Sequence, residues 1–349
     1  MILPSTAPAP WPRLCRHLPL TSGRLRATVD DFRVEELPAY GPSGEGEHLL
    51  LWVEKRGKTT VEMVQLLARH VGVPEREVGY AGLKDKHAVT GQQVSIPARG
   101  EALLASFSHP DVQVRNAVRH RNKLRVGHLH GNRFDIRIQD VGDFEAAESI
   151  LLHLKQHGVA NYFGAQRFGR EAGNAEMGFA LLRGERLPRP PDRFLRRMVL
   201  SAAQSDLFNA ALAARLLEGT WGTALLGDVL KKSDTGGEFV CTDPSIDQAR
   251  LDAFEISVAG PMFGPDMRLS EHGVALAEAQ LLASRGLKDL DFERGRKDTL
   301  GARRAYRVNV ADMAWQREDA HLRVTFSLPA GSYATVVLGE AFETDAARR

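Results

Sequence analysis

Two cysteines, Cys15 and Cys241, are all that 349 residues carry. That excludes a disulfide framework and a thiolate zinc site, and it fits a reducing, cytoplasmic setting. No apolar run approaches the roughly 18 residues that span a bilayer, so no membrane partner is expected. The N-terminus, MILPSTAPAPWPRLCRHLPL, is broken by prolines and lacks an apolar stretch ahead of a small-residue cleavage site, so no signal peptide is expected. Twelve histidines are scattered. His128 and His130 alternate as on a strand, but no third ligand follows at a recognised spacing, and no metal is expected. Neither sign of charge dominates, with a formal net of +2.

What is present is ordinary in amount: 43% hydrophobic and 26% charged residues, as in a globular protein. The length exceeds one typical domain, and two are expected. Gly57-Lys58-Thr59 has the form of the end of a phosphate-binding loop. The glycine that would open that motif falls at Trp52, which excludes it.

The charge is unevenly placed. Residues 115–133, RNAVRHRNKLRVGHLHGNR, hold six Arg/Lys, three His and no acid. Such a run is either a solvated face or a footprint for phosphates. Residues 79–96, GYAGLKDKHAVTGQQVSI, set Asp85 between Lys84 and Lys86 in a glycine-marked loop. On spacing alone this is a surface cluster. The alternative is a carboxylate kept ionised by two cations that also hold phosphates.

Around these stretches the pattern alternates between strands and helices. GRLRATVDDFRVEEL and EHLLLWVEKRG read as strands. KTTVEMVQLLARHVGV reads as a helix capped by Thr59 or Thr60, with Val61, Val64, Leu67 and Ala68 as its apolar stripe. QQVSI and NRFDIRIQD read as strands and AAESILLHLKQHG as a helix closed by Gly158. NYFGAQRFGR is irregular and aromatic. LPRPPDR forms a proline-rich boundary before a helix over 193–217. HLRVTFSL alternates Leu322, Val324, Phe326 and Leu328 with polar residues, as a half-buried strand does. Strands at both ends and helices between predict a discontinuous sheet domain, 1–184 with 301–349, interrupted by an inserted domain over 185–300.

Two aromatics in NYFGAQRFG, Phe163 and Phe168, are core residues by default. Beside Asn161 and Arg167 an aromatic ring also suits an unstacked base, whose edge an amide can read. At this point the residues carry a resemblance. GYAGLKDKHAVTGQQ, RHRNKLRVGHLHGNRF, NYFGAQRFG, SAAQSDLFN and LPAGSYAT, with DFRVEE and GEGEH before them, resemble in order the motifs of the TruD family of tRNA pseudouridine synthases.

The resemblance implies an α+β fold of the pseudouridine-synthase type, a mixed but mainly antiparallel sheet flanked by helices, with an inserted second α/β domain. It implies isomerisation of uridine to pseudouridine in tRNA, at position 13 in bacterial relatives, by a monomer without cofactor. Asp85 maps onto the catalytic aspartate. Arg26 is its expected ion-pair partner. Phe163 is expected to stack on the flipped uracil, Phe32 and Tyr333 to wall the pocket, and Asn161 to bond the uracil edge. Lys84, Lys86, Arg119, Arg121, Lys123 and Arg167 are expected to hold the tRNA backbone. Leu83 stands where some relatives have a polar residue, and Tyr333 where some have phenylalanine. A uracil-releasing glycosylase and a non-catalytic RNA-binding protein are the alternatives, separable by product analysis and by substitution of Asp85.

Overall fold

The computed structural model describes residues 11–169, 173–187 and 189–343. Part of the proline-broken N-terminus, Arg170 of NYFGAQRFGR and Pro188 of LPRPPDR lie outside the described residues.

The chain opens with β1 (Phe32–Pro38) and β2 (His48–Arg56), then α1 (Thr60–Val71), the short β3 (Gly79–Tyr80) and β4 (Val89–Pro97). A single turn, α2 (Glu101–Leu104), precedes β5 (Val112–His120) and β6 (Leu129–Ile138), and α3 (Phe144–His157) leads to β7 (Val159–Ala160). Then come α4 (Gly173–Arg183), α5 (Arg193–Leu217), β8 (Val229–Lys232), β9 (Glu238–Val240), α6 (Pro244–Asp252), β10 (Ile256–Met262) and α7 (His272–Ser284). The chain returns through β11 (Ala302–Ala305), β12 (Arg307–Val308), β13 (Ala311–Glu318), β14 (His321–Pro329) and α8 (Ala334–Gly339).

The principal sheet runs β13-β14-β6-β1-β4-β2-β5, with β3 also on β4. Every pairing in it is antiparallel except β1 with β4. This is the mixed, mainly antiparallel sheet that the family resemblance implies. Its strands follow the period-2 rule: Phe32, Val34 and Glu36 of β1 point inward while Arg33 and Glu35 are exposed. Leu322, Val324, Phe326 and Leu328 of β14 are all buried, as their alternation requires. Helices α3 and α8 cover β1, β6 and β14, and α1 covers β2 and β4, giving two cores.

Helix α1 starts at a capping box in which Thr59 Oγ1 accepts from the Glu62 amide at 3.1 Å and Glu62 accepts from the Thr59 amide at 2.6 Å. The Thr59 groups hold the Glu62 carboxyl down, to about 2. The buried stripe is Met63, Val64, Leu67, Ala68 and Val71, with Thr60. Val64, Leu67 and Ala68 are buried as the expected stripe requires, whereas Val61 is 47% exposed and Met63 and Val71 take its place.

A second sheet, β11-β10-β8-β9, is packed with α4, α5 and α7 around a third core that extends from Ala160 to Tyr306. The proline-rich stretch, read as a boundary, connects α4 to α5, and these helices pack directly on each other. A Cβ on Gly178 would sit 2.2 Å from the Val199 carbonyl oxygen, so the glycine permits that approach. Between the two sheets β7 pairs β12, Ala160 opposite Arg307, and Trp11, Leu14, Tyr333 and Val336 pack against the third core.

Candidate active site

The loop from Gly82 to His87 joins β3 to β4 and carries Asp85. Its backbone is fastened from three sides. Gln92 Nε2 on β4 donates to the Gly82 carbonyl at 3.1 Å. Thr60 Oγ1 at the head of α1 accepts from the Lys84 amide at 2.9 Å and donates to Gln92 Oε1 at 3.0 Å. Lys55 Nζ on β2 donates to the Asp85 carbonyl at 2.9 Å and to the Lys58 carbonyl at 2.6 Å. Burial brings the Lys55 ammonium down to about 8, partly offset by the Asp85 charge.

The Lys84 side chain runs inward, not to solvent. Its Nζ lies 2.8 Å from Glu36 Oε2 on β1 and donates to Asn132 Oδ1 on β6 at 2.6 Å; the lysine side chain is 5% exposed and the glutamate 0%. The expected phosphate contact at Lys84 is corrected on that ground: its charge is consumed by a buried pair that ties the loop to the sheet. Lys86 does face solvent, 3.3 Å from Glu62.

Arg26 Nη2 donates to Asp85 Oδ2 at 2.8 Å, as expected of an ion-pair partner, and both side chains keep partial exposure. No hydrogen bond to Asp85 Oδ1 is found among the described residues. Arg26 holds a left-handed backbone, φ 56°, an uncommon conformation for a side chain of its size. That turn lays its guanidinium 4.2 Å over the Phe32 ring while it reaches Asp85.

Asp85 borders a cleft of about 270 Å³. Phe32, Val34 and Phe134 form its floor, with Phe32 and Phe134 edge to face at 6.3 Å. Gly82 to Asp85 make one wall and Ala330 to Thr335, including Tyr333, the other. Phe32 and Tyr333 therefore line the space beside Asp85.

Asn161 and Phe163 lie behind that cleft. Asn161 is 6% exposed; its Nδ2 donates to the Ala305 carbonyl at 2.8 Å, and its Oδ1 accepts from Arg304 at 2.6 Å and from Ser332 at 3.1 Å. Its Oδ1 and one of its two Nδ2 hydrogens are therefore already engaged. Phe163 is 9% exposed, edge-on to Phe208 at 5.5 Å, with its amide and carbonyl bonded to Asn209 at 2.8 and 3.0 Å. The Arg304 guanidinium lies 4.1 Å over its ring. A base reaching that ring has to displace or share the arginine. Arg167 is half-buried and bonds Ser201 and Ser205 of α5.

The basic run occupies β5, β6 and the turn between them. Much of its charge is met by acids from elsewhere in the chain: Arg115 by Glu54 at 3.1 Å, Arg119 by Glu101 and Arg121 by Glu45. Lys123 donates to the Arg76 carbonyl. Arg125 and Arg133 are exposed and have no carboxylate partner among the described residues. A larger depression, about 550 Å³, lies at the far end of β4 between Arg76, Arg99, Arg119 and Lys123. Arg99 pairs with Glu77 there, and the depression lacks the Phe32 and Phe134 floor of the smaller cleft.

Lys55, Gln92, Glu36, Asn132 and Arg304 were not singled out in the sequence, and Thr60 only as a possible helix cap. For two of them a signal exists. Lys55 continues the buried parity of Leu49, Leu51 and Val53, and Glu36 continues that of Phe32 and Val34.

Asp85 thus borders an aromatic cleft on a mixed, mainly antiparallel sheet. The family model described as tRNA pseudouridine synthase D (TruD) matches residues 13–187 and 190–341. A tRNA pseudouridine synthase D of Anaeromyxobacter sp. (strain Fw109-5) is 48% identical over 96% of this chain and 97% of its own. One from Thermus thermophilus is 42% identical over 97% of this chain and 94% of its own. The crystal structure of a Methanosarcina mazei protein assigned to tRNA pseudouridine synthase D matches with a TM-score of 0.74 at 22% identity, covering 93% and 94% of the two chains. The chain belongs to the TruD family.

Proposed function

We infer that this protein is a tRNA pseudouridine synthase that converts uridine to pseudouridine in tRNA, at position 13 as the family resemblance implies. The N1–C1′ bond breaks, uracil turns within the cleft, C5 bonds to C1′, and the C5 proton is lost while N1 gains one. No atom leaves and no electron is exchanged. The target nucleotide must first leave the stack, at a cost of a few kcal/mol.

Asp85 is the reacting carboxylate. Its Oδ2 is held by Arg26 and its Oδ1 is open to the cleft. Two routes use that oxygen: addition to C1′, or removal of the C2′ proton to give a glycal. Arg26 meets the carboxylate's charge and directs it. Phe32 and Tyr333 enclose the uracil, and Phe163 supports the site through Arg304. Lys86, Arg119, Arg121, Lys123 and Arg167 serve as backbone contacts only where their present partners yield to phosphate, whereas Arg125 and Arg133 need no exchange.

The observation that carries this reading is the fastened loop that presents Asp85, with one free oxygen, over an aromatic floor. Incubating the protein with unmodified tRNA and mapping pseudouridine tests it. Pseudouridine retained in the chain supports it. Free uracil released to solution would point to a glycosylase, and unchanged RNA to a binding protein.

A further inference from the structure

Arg303 and Arg304 are neighbours on β11 with opposite electrostatic fates. Arg303 is fully buried and meets Glu278 through both nitrogens, at 2.5 and 2.9 Å. Arg304 meets no carboxylate among the described residues. Its Nε and Nη2 donate only to neutral oxygens: the Asn161 carbonyl at 3.3 and 3.2 Å, Asn161 Oδ1 at 2.6 Å and the Gly331 carbonyl at 2.9 Å. The charged neighbour is another cation, Arg167, 5.7 Å from the Phe163 ring that Arg304 covers at 4.1 Å. Burial, with the Arg167 charge adding to it against the pull of Tyr333, brings Arg304 down to about 10. A half-buried cation without an anion is costly, and a bound anion would relieve that cost.

The free edge of this guanidinium has a direction. Nη1 makes no hydrogen bond among the described residues, so two of the five donors are unused. A Cβ on Gly331 would lie 3.4 Å from Nη1, and Gly331 is part of the cleft wall that faces the Asp85 loop. The glycine, at φ +82°, leaves the approach to Nη1 uncrowded. A neutral base edge would leave the positive field of two arginines unbalanced. A phosphodiester balances it, and the planar fork suits phosphate oxygens.

We propose that Arg304 is a phosphate-binding residue at the lip of the cleft, receiving the phosphodiester adjacent to the extruded uridine. The proposal rests on the synthase reading, and the test separates the two. tRNA transcripts are prepared with a single neutral methylphosphonate on the 5′ or the 3′ side of the target uridine. Single-turnover rates at subsaturating enzyme are compared for wild type, Arg304→Gln and Arg304→Lys, after thermal melts show each is folded. One of the two neutral linkages is expected to slow wild type about tenfold or more. Arg304→Gln is expected to be slow on the normal transcript and to lose little further on that linkage.

If neither linkage slows wild type, the proposal fails whatever the variants do. Equal further losses in Arg304→Gln and wild type overturn it too. Where Arg304→Gln does not fold, Arg304→Lys is expected to show a smaller penalty than wild type, and an equal penalty overturns the proposal. A wild type that forms no pseudouridine in any tRNA sinks the synthase reading instead.

Discussion

A carboxylate that reacts at a sugar carbon must be ionised, reachable and held still. Asp85 pairs with Arg26 through Oδ2, borders the cleft, and has its loop backbone held by Lys55 with Thr60 and Gln92. Asp85→Asn keeps the shape and removes the nucleophile. It is expected to lower the single-turnover rate by roughly a thousandfold or more while tRNA binding persists. A wild-type rate would remove Asp85 from the chemistry. Lys55 gives a second test, through pH. Its folded value, about 8, lies below the ordinary 10.5. Between these values the unfolded chain binds more protons, so this group makes stability rise with pH, by up to about 1.4 kcal/mol per unit. Lys55→Met is expected to lose that rise and to be less stable, because two buried carbonyls lose their donor. Denaturant unfolding of both proteins at pH 7.5 and 9.5 reads the difference; parallel curves would refute it. Asp85 and Arg26 were legible only through the family motif, since one acid between two lysines has no distinctive pattern. Lys55 was legible in principle from the parity of β2, because a charge on a buried face needs a partner.

The element that carries Asp85 is a loop, yet it behaves as an extension of the sheet and of α1. Thr59 and Thr60 were equivalent as caps in the sequence, and the structure divides their work. Thr59 closes the capping box, and Thr60 turns inward to join Lys84 and Gln92. Which threonine does which depends on a long-range contact with residues 84 and 92, and local pattern does not contain it. Thr60→Val preserves the shape and deletes the hydroxyl. It leaves the Lys84 amide and the Gln92 side-chain oxygen without that partner, at about 1–3 kcal/mol. The loop should then present Asp85 less steadily, so kcat should fall with little change in KM for tRNA. Loss of stability with an unchanged kcat would make the contact merely structural. The strands themselves were readable because alternation is a local property, and β14 is the clearest case. The basic strands were readable as sequence but not as surface, because their acidic partners Glu45, Glu54 and Glu101 come from other segments. Arg125 and Arg133 are the exposed remainder, and Arg125→Ala with Arg133→Ala is expected to lower the slope of log affinity against log salt by about 1.4 to 1.8. An unchanged slope would place tRNA on another face.

At the scale of the whole molecule, the principal sheet and the β11-β10-β8-β9 sheet are joined beside the cleft through contacts of Asn161, Arg304 and Arg307. Arg307 Nε donates to the His157 carbonyl at 2.7 Å, so strand, helix and return strand are joined at one place. Strands at both ends and helices between predict two units, but prolines mark a change of direction equally well inside a unit as between units, so the place of division is a matter for experiment. The structure carries a specific expectation about excision. Joining residue 184 to residue 301 removes α5 and β10 and uncovers Ala175, Phe179 and Leu182 of α4, which are now buried. At about 1.5–3 kcal/mol for each large apolar side chain, that loss is comparable with the net stability of a domain, about 5–15 kcal/mol. This shortened protein is expected to aggregate or to melt without cooperativity. Joining residue 160 to residue 307 through a short linker cuts where β7 and β12 already pair, with Ala160 opposite Arg307. It keeps both cores of the principal sheet whole and is expected to melt cooperatively while binding tRNA more weakly, since Phe163 and Arg304, which back the cleft, are gone. Near-ultraviolet circular dichroism, thermal melts and a tRNA binding titration on the two proteins decide the matter. A cooperative melt for the 184–301 junction beside an unfolded 160–307 junction would move the division back to the proline-rich stretch. Unchanged tRNA affinity in a folded 160–307 protein would mean that the second unit forms no part of the binding cleft.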